Sequence, residues 1–168
     1  MFSIRTATVE DADALAQFAR RIFFETFAKE NTPEDMERYV AETFGPALQR
    51  AELLDAKVHY LLLQADGRLA GYTKLARGEA NPRGRRPLQV CRFYLDSPWH
   101  GSGAANSLME AVLALAQREG NDDVWLGVWE HNLRAIRFYQ KHGFTRVGEQ
   151  PCQVGEDVQT DWVMARSR

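Results

Sequence analysis

Two cysteines stand in the 168 residues, Cys91 and Cys152. They fall into no metal-ligand spacing and are too few for a disulfide framework. No apolar run approaches the roughly 18 residues that a membrane-crossing helix needs. The start, "MFSIRTATVEDADALA", lacks the basic segment and long apolar stretch of a secretory leader. These absences set the expectation of a cytoplasmic chain with reduced, buried thiols and no membrane or nucleic-acid partner. Repeats, low-complexity tracts and linkers are also missing. What is there is ordinary globular composition, 45% hydrophobic and 26% charged, over a length that suits a single domain, 1–168.

The net charge is only −2, but it is unevenly placed. Eight acids stand against three bases between Glu25 and Asp55, five arginines against one acid from Arg77 to Arg92, and four bases against no acid from His131 to Arg146. Such runs are commonly solvated faces. The alternative is a molecule with a basic side for an anionic cofactor and an acidic side for a cationic substrate.

The pattern of apolar residues predicts a mixed α/β domain. "FSIRTA" reads as an opening strand, and Leu15, Phe18, Ile22, Phe23 and Phe27 share one helical face. A second helix starts with Thr32 as N-cap and Pro33 in its first turn, and a short third piece surrounds "PALQRAELLD". "KVHYLLLQADGRLAGYTKLA" is a hairpin about Ala-Asp-Gly-Arg, and "RGEANPRGRRP" an exposed loop. Strand "LQVCRFYLD", helix "AANSLMEAVLALAQREG", strand "DVWLGVWE" and helix "LRAIRFYQKHGF" follow. Asn132 and Gly143 cap the last helix, and "TRVGE" and "VQTDWVMAR" close the chain as a strand pair.

The turn "HGSGAAN" between a strand and a helix has three readings. A P-loop needs Lys followed by Ser or Thr after the second glycine, and this turn has neither. A dinucleotide fingerprint needs a third Gly or Ala at position 106, where Asn106 stands. The third reading is a pyrophosphate held by backbone N–H groups at the start of the helix near Ala104, with Gly101 and Gly103 letting the backbone approach.

"HGSGAANSLM" and "EHNLRAIRFYQKHGF" together resemble the GCN5-related N-acetyltransferases, the GNAT family. The small positions of that family's phosphate motif are filled by Gly103 and Ala105. Its later motif is filled throughout, by Asn132, Ala135, Phe138, Tyr139, Gly143 and Phe144. The order of elements agrees over nearly the whole chain. One departure is His100, where the family usually has Arg or Gln. A neutral imidazole attracts a pyrophosphate less than a guanidinium does, so weaker and pH-dependent cofactor affinity is expected. "ETF", "NTPEDMERYV", "WLGVWEHN" and the closing Gln159, Asp161, Met164 pattern are most similar to the branch with bacterial polyamine acetyltransferases.

The resemblance implies a GNAT fold: a central mixed, largely antiparallel sheet of about six to seven strands with helices on both faces. It implies acetyl-CoA as co-substrate, no metal, and direct attack of a primary amine, a small amine or polyamine, on the thioester. Alternatives are a protein N-terminal or lysine acetyltransferase, or a non-catalytic acetyl-CoA sensor. The cofactor would lie on Phe93, Leu95, His100, Gly101, Ser102, Gly103, Ala104, Ala105, Asn132, Ala135, Phe138 and Tyr139. The Leu95 N–H would polarise the carbonyl. Tyr139 would donate to the leaving thiolate, with Arg137 and Lys141 near enough to lower its pKa. For the base that frees the amine, Glu25 leads over Asp96, Glu130 and His100. Glu25 and Glu30 would also suit the distal charge of a polycation. Trp129 is a candidate for the acceptor pocket, which helices 1–2 and the 77–87 loop would build. Trp99 and Trp125 could also line it but suit core packing better, and the arginines of "RGRRP" could reach the cofactor's 3′-phosphate but suit a solvated loop better. Family members often dimerise through their last strands, though nothing in "VQTDWVMARSR" demands it.

Overall fold

A computed structural model describes residues 2–29, 31–79, 85–154 and 156–167. The hairpin turn sets the register of the first half. Asp66 and Gly67 take φ of 52° and 76°, the left-handed pair that a two-residue turn between twisted strands requires. It joins β2 (Val58–Ala65) to β3 (Arg68–Arg77). β1 (Phe2–Thr6) lies outside β2, and β4 (Pro87–Leu95) continues beyond β3.

The second half adds β5 (Asp123–Trp129), β6 (Thr145–Val154) and β7 (Asp157–Ser167). Among the described residues the seven strands form one sheet in the order β1-β2-β3-β4-β5-β7-β6. Every neighbouring pair is antiparallel except β4 and β5, which run parallel. Parallel neighbours need a crossover, and α4 (Ala104–Arg118) supplies it.

Helices cover both faces. α4 and α5 (Leu133–Lys141) lie on one, where Leu108, Met109, Val112 and Ile136 pack with Leu63, Val90, Leu126 and Met164. α1 (Ala12–Phe27), α2 (Pro33–Thr43) and α3 (Pro46–Leu54) lie on the other, where Leu15, Phe18, Ile22 and Phe23 meet Tyr60, Leu62 and Tyr72. The mixed sheet and its two helical layers are as the sequence predicts. β6 runs longer than "TRVGE".

The feature that positions a site is the early end of the β4–β5 ladder. The two strands pair from Pro87↔Asp123 to Val90↔Leu126 and then part. β4 stays zipped to β3 through a register shift that leaves Cys91 as the extra residue, while β5 follows β7 to Trp129↔Asp161. A V-shaped gap therefore opens between Cys91–Leu95 and Gly127–Trp129.

The parallel pairing also corrects one expectation. The 77–87 loop enters β4 at the closed end of the V, so its described residues lie away from the acceptor side of the gap. Arg85 there holds the Asp123 carboxylate, Nε to Oδ2 at 2.7 Å and Nη2 to Oδ1 at 2.6 Å. Arg83 and Glu30 lie outside the described residues.

Candidate active site

A cleft of ≈ 730 Å³ runs through the V. The glycine turn stands at one end, β4, β5 and α5 form its walls, and α1, α2 and β7 enclose the other end. The Asp96 N–H bonds to Ala70 O at 2.8 Å. Backbone groups of successive residues in a strand alternate in direction, so those of Tyr94 face β3 and those of Phe93 and Leu95 face the gap. His100 Nε2, 2.9 Å from Leu95 O, agrees with that assignment.

In the turn, Gly101 and Gly103 take φ of 77° and 89°, where a Cβ is strained. The Ser102 hydroxyl donates to Trp99 O and accepts from Ala104 N–H at 3.3 Å. The first N–H groups of α4, on Ala105 and Asn106, have no partner within the helix. The Asn106 side chain meets His142 Nε2 at 3.0 Å, which fastens the start of α4 to the end of α5.

His100 links the turn to α5. A carbonyl only accepts, so Nε2 donates to Leu95 O and Nδ1 carries a lone pair. The Arg134 Nη1 donates to that lone pair at 3.3 Å. A guanidinium thus stands beside His100, and both line the cleft. Arg134 escaped notice in the sequence because it is one base in a basic helix.

On α5 the Asn132 side chain accepts from Ala135 N–H at 3.2 Å, the cap expected of it. Ala135, Phe138 and Tyr139 line the cleft. Phe93 packs against Phe138 and, edge to face, against Tyr139, with centroids 5.5 Å and 6.3 Å apart. The Tyr139 phenol is buried, and burial alone pushes its pKa well above the ordinary value. The expected lowering by Arg137 and Lys141 is absent; neither contributes to the shift.

The base candidates are engaged elsewhere. Arg21 pairs with Glu25 at 3.1 Å and with both carboxylate oxygens of Asp96, at 3.1 and 2.9 Å. The Arg21 bonds hold Asp96 below the usual carboxylate range. Glu130 lies 3.3 Å from His131, and both ring nitrogens of His100 are occupied. None of the three acids lines the cleft. Of the tryptophans only Trp129 does; Trp99 packs edge-on to Phe2 at 5.6 Å.

Two further charged groups in the cleft were missed as site residues. Asp161 on β7 is half-buried, and burial raises its pKa while a hydrogen bond with Cys152 opposes the rise. The Cys152 thiol is itself pushed up to about 11 by burial and by Asp161. Arg92 on β4, with its side chain 13% exposed, stacks over Phe44 with Cζ 4.7 Å from the ring centroid. Gln159 and Asp161 belong to the closing pattern already noted, but only the β5–β7 register brings them to the gap.

Residues 13–144 match the model of the Acetyltransferase (GNAT) family. An N-acetyltransferase of Mycobacterium tuberculosis is 37% identical over 93% of this chain and 97% of its own length. The spermine/spermidine N(1)-acetyltransferase of Bacillus subtilis is 33% identical over 42% of this chain and 46% of its own. In fold, the chain is similar to the PaiA N-acetyltransferase of Thermoplasma acidophilum solved with coenzyme A. That likeness has a TM-score of 0.82 at 20% identity and covers 100% of this chain and 99% of the other.

Proposed function

The chain belongs to the GNAT family of N-acetyltransferases, and from that premise we propose that it transfers acetyl from acetyl-CoA directly to a primary amine inside the V between β4 and β5. The observation that carries this reading is the parting of the strands at Val90↔Leu126, which exposes the Phe93 and Leu95 edge between the glycine turn and Tyr139. An extended pantetheine amide chain matches such an edge, because it can pair with backbone groups as a strand would.

The pyrophosphate sits at the turn Gly101–Ala105, on backbone N–H groups and the start of α4. Arg134 supplies the positive charge that His100 lacks, which removes the reason to expect weak affinity. Leu95 pairs with pantetheine. Phe93 lies deeper in the V and touches Tyr139, so its N–H takes the carbonyl oxygen in preference to the Leu95 N–H; one such donor contributes about 3 kcal/mol in other enzymes. Asn132, Ala135 and Phe138 flank the arm.

A neutral amine attacks the thioester carbon, the C–S bond breaks, and thiolate leaves. The ammonium loses one proton to a base beforehand. A second N–H proton leaves as the amide forms and reaches sulfur by way of the Tyr139 hydroxyl, so one proton is released per turnover. With its pKa raised, Tyr139 acts as a hydrogen-bond donor to sulfur while passing that proton on. The partial likeness to the spermine/spermidine enzyme, over 42% of this chain, favours a polyamine among the primary amines; the charges at the acceptor end, taken up below, oppose it.

The test is acetyl-CoA-dependent thiol release by the purified protein against polyamines, amino acids, aminoglycosides and short peptides. Release with one class is expected. Acetyl-CoA binding without release from any class would leave a cofactor-binding protein and refute the transferase reading.

A further inference from the structure

The acceptor end of the cleft has two electrical poles. Asp161 is one. A Cβ on Gly127 would lie 3.3 Å from its Oδ2 and 2.5 Å from Gln150 Nε2. The carboxylate therefore stands directly over Gly127, the first residue past the end of the β4–β5 ladder. Among the described residues no Lys, Arg or His nitrogen comes within 4.0 Å of it. Its recorded polar neighbour is the protonated Cys152 thiol. A half-buried carboxylate without a cation, at the point where the strands part, suits an incoming ammonium.

Arg92 is the other pole. Its Nη1 donates to the Tyr60 hydroxyl at 3.1 Å and lies 3.9 Å from Glu52 Oε2. Glu52 is already engaged by Lys74 Nζ at 3.1 Å and by the Tyr60 hydroxyl. Two cations share one carboxylate in a group whose side chains are 13–23% exposed, which leaves one unit of positive charge in excess. Both of these contacts use Nη1 of a group with five donors, and the guanidinium also acts on the buried Tyr72 hydroxyl. Tyr39, stacked on Phe23 at 4.6 Å, lines the same cleft and feels the charges of both Arg92 and Asp161.

We propose, resting on the transferase reading above, that the acceptor is a small amine bearing a carboxylate: Asp161 receives its ammonium and takes the first proton, and Arg92 binds its carboxylate. The attacking nitrogen then lies over Gly127, beside the carbonyl held at Phe93. The excess charge of the Arg92 group is matched by one monoanion. A diamine or polyamine would instead bring a second ammonium against two cations, so the pocket selects against it.

The experiment compares thiol release with glycine, β-alanine, γ-aminobutyrate, 5-aminovalerate and a set of L-amino acids against alkylamines and diamines of matching length. At least one amino acid is expected to exceed its matching alkylamine in kcat/KM by roughly 10- to 100-fold, the range for a charge-assisted bond in a desolvated site. Arg92→Met should erase that preference through KM, with Arg92→Lys restoring part of it. Asp161→Asn should lower kcat with every amine, and all three variants should bind acetyl-CoA as the native protein does, which also reports that they fold. Preference for alkylamines or diamines, or a preference untouched by Arg92→Met, overturns the proposal, and should that variant fail to fold, the native panel still decides. Acetyl-CoA binding with no release from any amine refutes the transferase reading along with this one. Release confined to amines without a carboxylate refutes only this one.

Discussion

Replacing Tyr139 by Phe removes one hydroxyl and nothing else. The ring contacts with Phe93, Phe138 and Phe144 remain, so the variant should fold and bind acetyl-CoA as before. The size of the kinetic effect follows from what the hydroxyl does. At ordinary values a phenol near pKa 10 gives its proton to a thiolate near 8.5 only at a cost of about 2 kcal/mol. Burial raises the phenol further, so ionised tyrosine is avoided and the contribution is that of a hydrogen bond to charged sulfur, about 1.5–3 kcal/mol. Loss of that bond predicts a fall in kcat of roughly 10- to 150-fold, with acetyl-CoA affinity unchanged by calorimetry. The sign of the shift also fixes a pH dependence. Because the folded value lies above the ordinary one, the phenol stays protonated at neutral and mildly alkaline pH, and kcat should show no loss from its ionisation below about pH 10. A decline near pH 8 that vanishes in the Phe variant would refute this reasoning, as would a rate loss under threefold.

Three further predictions concern binding and stability. Arg134→Ala should weaken acetyl-CoA binding about tenfold in calorimetry, with the difference shrinking at high salt because the contact is electrostatic. Gly71→Ala would place a Cβ 2.9 Å from Tyr94 O on the neighbouring strand. The strands would have to spread, at about 1–3 kcal/mol, and thermal denaturation should show a drop of several degrees. Asp11 is held at about 2, chiefly by its hydrogen bonds with Arg5. Its folded value is depressed, so the pair's stabilisation is present above about pH 4 and fades as pH falls toward 2. Asp11→Asn should flatten the melting temperature over that range and lower it at neutral pH.

Local signals carried most of the fold. The Thr32 cap accepts from Asp35 N–H at 3.2 Å, the Asp66-Gly67 turn forms, and α1 buries the face its periodicity marks. Each depends on residues a few positions apart, where propensity and spacing are informative. Part of the candidate site is equally local: the glycines of the turn, the Asn132 cap, and Tyr139 two turns of helix beyond. The acceptor end is not. Asp161 reaches the gap only because β7 inserts between β5 and β6 with Trp129 opposite it, a pairing that no periodicity reveals. The same holds for the partners of the acids considered as bases. Arg21 draws in Glu25 from its own helix but Asp96 from just past the end of β4, 75 residues along the chain, so both stand in ion pairs that spacing alone does not show. The described ends of the 77–87 loop lie away from the gap because β4 pairs with β5 at its first residues and parts from it at its last, which the sequence does not show.

The most direct test of the account is a crystal structure with acetyl-CoA bound. The prediction is pyrophosphate within hydrogen-bond distance of the backbone N–H groups of the Gly101–Asn106 turn, with the Arg134 guanidinium beside it. The pantetheine should lie along Phe93–Leu95, and the sulfur should stand at the Tyr139 hydroxyl. A cofactor bound outside the V, or one whose sulfur lies away from Tyr139, would contradict it.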